Sequence, residues 1–251
     1  MIDDDLEHHK RLDPKNKFCR YSEIRTYSDN RVEITSGNKY INASWIHIPS
    51  RRHFIATQGP LKSTIEDFWE MCLIYNVNAI VMLCPLEEKG IEKCANYWDA
   101  NLKKFQILKI EKDLFVDQRL IIRNLQVINK ENHKSKQIIQ IHLTNWGDHT
   151  SSINNFPLFI QMIEIADRCK QNGPILVHCS AGVGRTGTFI SLYNLYHEIK
   201  EQINDESSNE IKFSILNLVR KLKEMRLYLV ENIDQYIMLY QFVQIFLEKN
   251  N

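Results

Sequence analysis

Residues 174 to 199 constrain the fold more than any other stretch of the chain. Pro174-Ile175-Leu176-Val177 is a short apolar run that suits a buried parallel strand, and Phe189, Leu192, Tyr193, Tyr196 and Ile199 recur at helical spacing. Between them lies His178-Cys179-Ser180-Ala181-Gly182-Val183-Gly184-Arg185-Thr186, in which a Cys and an Arg bracket five small residues. A strand must therefore turn directly into a helix N-terminus, where unpaired backbone N–H groups and the positive end of the dipole favour an anion. With little bulk from Ser180 through Gly184, the backbone can curl until successive N–H groups point at one centre.

The donors that hold an anion in such a nest also stabilise a thiolate, which makes Cys179 a nucleophile at neutral pH. Arg185 supplies a planar fork for two oxygens of a tetrahedral anion, a geometry that Lys lacks. The Thr186 hydroxyl can donate to the sulfur and make it a better leaving group. A free Cys is most often a core residue, but a core Cys requires neither the small-residue turn nor an Arg six positions on.

On these residues the chain resembles the phosphotyrosine-specific protein tyrosine phosphatases, whose signature is a His-Cys-x5-Arg-Ser/Thr-Gly loop. Further blocks are similar to that family in the expected order: Lys17 to Val32, Tyr40-Ile41-Asn42-Ala43-Ser44, Ala56-Thr57-Gln58-Gly59-Pro60, Asp67-Phe68-Trp69, Glu88-Lys89-Gly90 through Lys93-Cys94 to Tyr97-Trp98, Trp146-Gly147-Asp148-His149, and Gln235-Tyr236. Together they span nearly the whole chain.

The resemblance implies hydrolysis of phosphotyrosine through a phosphocysteine, with no cofactor and no metal. Cys179 would attack phosphorus, Asp148 beside Trp146 would protonate the leaving oxygen and later act as base, and Arg185 with the loop amides would hold the equatorial oxygens. His178 and Gln235 join this catalytic group, and Ser180, Ala181, Gly182, Val183 and Gly184 cradle the phosphate. Tyr21 would stack on the substrate ring and deepen the cleft, Ile24 would complete the pocket, and Glu23 would take the place of the Asp that binds the substrate backbone. Glu88, with Lys93, would orient Arg185 from behind. Read from the residues alone, Asp148 could cap a turn beside His149, Tyr21 could be half-buried packing, and Glu88 with Lys93 a surface ion pair.

Three departures from the family pattern stand out. Gly147 replaces the proline of the acid loop, with Thr150 and Ser152 where Gly and Pro normally follow. Glu231 stands where the family has a Gln that helps place the hydrolytic water; with Gln235 one turn further on, Gln235 is expected to take that task and Glu231 to turn away, the alternative being that Glu231 stays and slows the second step. Lys39 stands where an Asp is common. Two other function classes fit the same residues: a weakly active phosphotyrosine-binding module, and a dual-specificity or inositide phosphatase with a shallower cleft.

Composition agrees with this reading. A chain of 251 residues, 43% of them hydrophobic, can bury one large core, and no Pro/Gly/Ser linker or repeat divides it. Residues 1–251 are therefore expected to form a single catalytic domain of α/β class, with a twisted mixed, partly parallel sheet and helices on both faces. A net charge of +1 argues against nucleic acid as the main partner. The start, Met1 to Asp5, is neither basic nor apolar, and the longest apolar run, Ala79 to Leu86, is too short to cross a bilayer. Six cysteines without a Cys-x-x-Cys pair suit a reducing compartment. A cytoplasmic, monomeric protein, or the cytoplasmic portion of a larger one, acting on phosphotyrosine proteins without membrane insertion, is the expectation. The nine histidines, His8-His9 included, read as solvent-facing or core residues.

Local patterns add detail. Ser63-Thr64-Ile65-Glu66 predicts a capping box that opens a helix burying Phe68, Trp69 and Cys72. Strands are expected at 79–83, 104–108, 115–125 and 137–143, and helices along Phe156 to Cys169 and Tyr236 to Phe246.

Overall fold

Four parallel strands carry the anion loop, and the rest of the sheet is built outward from them. The computed structural model describes residues 11–34, 40–49, 51–146, 156–169, 172–205 and 210–250. In chain order come β1 (Ala43–Ile46), β2 (Phe54–Thr57), α1 (Ile65–Ile74), β3 (Ala79–Met82), the short pair β4 (Glu87–Glu88) and β5 (Ile91–Glu92), β6 (Phe105–Lys109), β7 (Leu114–Asp117), β8 (Leu120–Asn129) and β9 (Ser135–Leu143). Then follow α2 (Phe156–Arg168), β10 (Ile175–His178), α3 (Gly184–Ile203), α4 (Ile215–Met225) and α5 (Ile233–Asn250). The main sheet has the order β1-β2-β10-β3-β9-β8-β6, with β7 also on β8. Strands β2, β10, β3 and β9 run parallel, and the flanking pairs are antiparallel.

The parallel strands β2, β3 and β10 are buried at every position, as strands covered on both faces must be. Alternation along β10 shows what covers each face. His178 meets the Phe68 ring of α1 on one side, whereas Phe54, opposite Ile175, meets Tyr193 of α3 on the other. Helices therefore lie on both faces, as expected. Helix α3 is buried along most of its length, and its polar residues are satisfied locally: Thr188, Ser191 and Asn194 donate to the carbonyls of Gly184, Gly187 and Ile190 at 3.0, 2.8 and 2.7 Å. A Cβ on Gly187 would lie 2.4 Å from the Val230 nitrogen, so this glycine lets the segment before α5 approach the helix.

Two local expectations are corrected. The Ser63–Glu66 capping box does not form: a 3-10 turn, Lys62–Thr64, precedes α1, no side chain caps α1, and the Glu66 carboxylate instead accepts the N–H groups of Lys103 and Lys104 at 2.6 and 3.1 Å. The expected strand 115–125 is two strands, because Asp117 accepts the Arg119 N–H at 2.9 Å and turns the chain between β7 and β8. Strands β1 and β2 are not legible in the sequence: each is four residues long and almost wholly buried, which gives no periodicity to read. All six cysteines are free thiols. Among the described residues no helix is long and apolar enough to cross a membrane.

Trp69 is fully buried and its indole N–H donates to the Tyr97 carbonyl at 3.0 Å. Trp69→Phe keeps an aromatic ring but leaves that carbonyl without its donor. It should lower unfolding free energy by about 1–3 kcal/mol, read as a lower urea midpoint at unchanged slope.

Candidate active site

The loop between β10 and α3 folds as an anion nest because its carbonyls are tied away from the centre. Gly59 N–H donates to Ser180 O at 2.9 Å. The buried Arg226 donates from Nε to Gly182 O at 2.8 Å and from Nη2 to Ala181 O at 3.3 Å. Arg226 is itself held by Asn42 Oδ1 at 2.7 Å and Ser44 Oγ at 3.2 Å. Burial lowers its guanidinium to about 10, still a cation at neutral pH. Gly182 has φ +74°, and a Cβ there would lie 2.2 Å from Thr57 O, so this position accepts only glycine.

Cys179 sits in this loop 5% exposed. Its Sγ accepts the Gly182 N–H and the Thr186 hydroxyl, each at 3.3 Å, two donors placed to stabilise a thiolate. Arg185 is fixed from behind: Nη2 donates to Glu88 Oε1 at 2.9 Å and Nη1 to Leu83 O at 3.4 Å. Glu88 in turn faces Lys93 at 3.8 Å. The Lys89-Gly90 turn, with φ +53° and +77°, is the tight hairpin that holds Glu88 there.

A cleft of about 520 Å³ opens over the sulfur. It is lined by Cys179, Ser180, Ala181, Gly184 and Arg185 from the loop, by Tyr21, Glu23 and Ile24, by Glu88 and Lys93, and by Glu231, Asn232 and Gln235. Tyr21 is 37% exposed and its hydroxyl shares a 2.9 Å hydrogen bond with Ser180 Oγ. Arg20 anchors this segment through Gly59 O and Pro60 O at 3.0 and 2.7 Å. Hydrogen bonds from Lys15 and Ser22 hold the exposed Glu23 carboxyl below the usual carboxylate range. A larger cavity, about 960 Å³, lies between the end of α1 and the β8–β9 hairpin. It contains no part of the anion loop, so size does not mark the site.

Glu231 does not turn away as expected. A methyl group on Gly184 would lie 2.8 Å from Glu231 Oε2 and 2.7 Å from Gln235 Nε2, so both side chains reach over the loop. His178 and Val183 are fully buried and do not line the cleft. Trp146 is buried against Phe159 with ring centroids 4.9 Å apart. Asp148, Gly147, His149, Thr150 and Ser152 lie outside the described residues, as do Lys39 and His8-His9.

His178 belongs to a buried chain that sequence reasoning missed. Because Cys179 O can only accept, His178 Nδ1 is the donor to it at 3.1 Å, and Nε2 accepts the Tyr97 hydroxyl at 2.9 Å. Gln140 Nε2 donates to that hydroxyl at 2.7 Å, and Arg123 Nη1 donates to Gln140 Oε1 at 2.8 Å and His142 Nδ1 at 3.0 Å. Burial pushes His178 down to about 3 and His142 down to about 4, so both imidazoles are neutral at physiological pH. Arg226, Arg20 and Asn42 were missed as well. Of these Arg20 and Asn42 carried a signal, their places in the Lys17-to-Val32 and Tyr40-to-Ser44 blocks, and Arg226 carried none.

A sequence model of the protein-tyrosine phosphatase family matches residues 15–244. The chain belongs to that family. It is 35% identical over 250 residues to mouse tyrosine-protein phosphatase non-receptor type 20, covering 96% of this chain and 56% of that protein. The human type 20 protein is 37% identical over 231 residues, covering 89% of this chain and 53% of the relative. The chain thus spans about half the length of these curated relatives. A solved structure of PTPN18 in complex with HER2-pY1196 phosphopeptides superposes with a TM-score of 0.81 at 27% identity, over 91% of this chain and 80% of that one.

The two neutral imidazoles set an acid limit. In the unfolded chain they bind protons near pH 6.5, but in the folded chain only near 3 to 4, so stability is full above pH 6.5 and falls as pH drops. Each contributes up to about 1.4 kcal/mol per pH unit, so urea unfolding should show a loss of roughly 4 kcal/mol from pH 7 to 5. His142→Gln should remove about half of that slope.

Proposed function

We propose that this chain hydrolyses phosphotyrosine in proteins through a phosphocysteine intermediate, and that residues 1–251 form a single catalytic domain. The observation that carries the reading is Cys179 Sγ, held by two donors at 3.3 Å on the floor of a cleft that also presents the Arg185 guanidinium. Cys179 attacks phosphorus, and the Arg185 fork and loop N–H groups take the equatorial oxygens as the phosphoryl group becomes trigonal. Glu88 keeps the fork aimed. Asp148 protonates the tyrosyl oxygen as it leaves and then takes the proton of the water that cleaves the phosphocysteine. Tyr21 at the cleft mouth supports a substrate with a flat ring between backbone and phosphate, and disfavours phosphoserine, which is too short to reach the sulfur. The chemistry needs neither metal nor cofactor. The phosphopeptides bound to PTPN18 in the similar structure support phosphotyrosine proteins as partners, and we place the activity in the cytoplasm, with the chain acting as a monomer.

Cys179→Ser should abolish turnover of a phosphotyrosine peptide while the peptide still binds, seen by calorimetry beside a phosphate-release assay. Release of phosphate at the unaltered rate would sink the covalent route. Equal turnover of phosphothreonine peptides or inositides would favour the broader phosphatase classes instead.

Asp148→Asn should slow hydrolysis by roughly 10²–10⁴-fold for a phenol of high pKa, and much less for an activated aryl phosphate that departs unaided. Equal losses on both substrates would make Asp148 structural.

A further inference from the structure

Among the described residues, five charged side chains line the cleft: Glu23, Glu88, Lys93, Arg185 and Glu231. Two of the three carboxylates are already matched by cations. Glu88 Oε1 accepts Arg185 Nη2 at 2.9 Å and Oε2 faces Lys93 at 3.8 Å, while Glu23 Oε1 accepts Lys15 Nζ at 3.0 Å and the Ser22 hydroxyl at 2.9 Å. Glu231 differs. It is exposed, and among the described residues no cation or hydrogen-bond donor engages its carboxylate. Asp234, also exposed and without a cationic partner among those residues, adds a second carboxylate in the first turn of α5. Glu231 packs against Gly184 of the nucleophile loop, where a methyl group would lie 2.8 Å from Oε2. An unmatched negative charge therefore borders the phosphate nest.

A charge in this position acts on whatever enters beside the phosphate. Arg185 and the loop N–H groups serve the phosphate itself, and Lys93 faces Glu88, so only the substrate can supply a cation to Glu231. A phosphotyrosine carries no cation of its own, but its neighbours in the peptide can. We propose that Glu231 is a specificity-determining residue, which selects phosphotyrosines flanked by Lys or Arg over those flanked by Asp or Glu. The proposal rests on the phosphotyrosine reading above and names the substrate class within it. A flanking ammonium or guanidinium, on its long stem, pairs with the Glu231 carboxylate at the rim. That pairing also relieves the repulsion between the carboxylate and the incoming phosphate dianion. A flanking carboxylate instead meets Glu231, with Asp234 on the same segment, and is rejected by like charge. The carboxamide of a Gln at position 231 would make no such distinction.

The test compares kcat/KM for matched phosphotyrosine peptides that carry Lys or Glu on both sides of the phosphotyrosine. This constant covers only the steps up to formation of the phosphocysteine, so any effect of position 231 on the second step drops out. The Lys peptide should exceed the Glu peptide by about 3–10-fold, the scale of exposed ion pairs and like-charge contacts. Raising the salt concentration should shrink that ratio toward unity. Glu231→Gln should bring the ratio close to unity at low salt, and Glu231→Lys should invert it. A general loss of chemistry or folding would lower both peptides alike and leave the ratio in place. Equal kcat/KM for the two peptides in the unaltered chain would overturn the proposal, as would a ratio that Glu231→Gln does not change. The salt series needs no variant, and a ratio indifferent to salt would overturn it equally. Failure of the underlying reading looks different: no phosphotyrosine peptide would be hydrolysed, or Cys179→Ser would still release phosphate, whatever the flanking residues.

Discussion

Arg226, fully buried at the end of α4, donates to the Gly182 and Ala181 carbonyls, to Asn42 and to Ser44, and so joins the anion loop to the segment that leads into β1. The nest depends on this contact. A run of small residues can curl in many ways, and only those with the carbonyls turned outward leave N–H groups to face an anion. Gly59 completes the arrangement by taking Ser180 O. A buried cation of this kind is costly unless its donors are satisfied, and here the donors are matched by oxygens that the loop must keep away from a phosphate.

The opposite face of the loop is stiffened differently. His178 is neutral, and its one N–H and one lone pair are both engaged, by Cys179 O and the Tyr97 hydroxyl. From Tyr97 the chain runs through Gln140 to Arg123, whose Nε meets Asp113 at 2.8 Å. Each member has one workable tautomer or orientation, so the network specifies the position of the nucleophile's backbone. The charge sits at the ends, on Arg123 with Asp113 and on the loop itself. Placing a charged imidazole beside Cys179 would add a cation in a site where burial disfavours it.

The cleft combines fixed and adjustable parts. Arg185 is held by the Glu88 carboxylate on a two-residue hairpin, and Arg20 clamps the Tyr21 segment to Gly59 and Pro60. Glu231 and Gln235, by contrast, lie where Gly187 lets the chain approach α3, with the Glu231 N–H donating to Gln235 Oε1 and the Gln235 N–H to Asn232 Oδ1.

Several features were legible from the chain alone. The strand-to-helix joint at 174–199, the Cys179–Arg185 spacing and the central place of β10 follow from neighbours in sequence, where a run of small residues and two hydrophobic periods leave few conformations. Trp69 and the α2 and α5 stripes were readable for the same reason. The place of Glu231 was misjudged: nothing local to it says that its carboxylate meets Gln235 over Gly184, since that depends on how closely α5 approaches α3. Arg226 ends an amphipathic helix and reads as an ordinary basic residue, and Gln140 and Tyr97 read as strand and turn polar groups. Their partners lie tens of residues away, brought together only when β9 pairs with β3 and α4 closes on β1. Local spacing determined which atoms do the chemistry, because covalent neighbours set their own geometry. Which groups hold those atoms in place was decided by tertiary contact, because a buried donor or acceptor takes whatever partner packing brings to it.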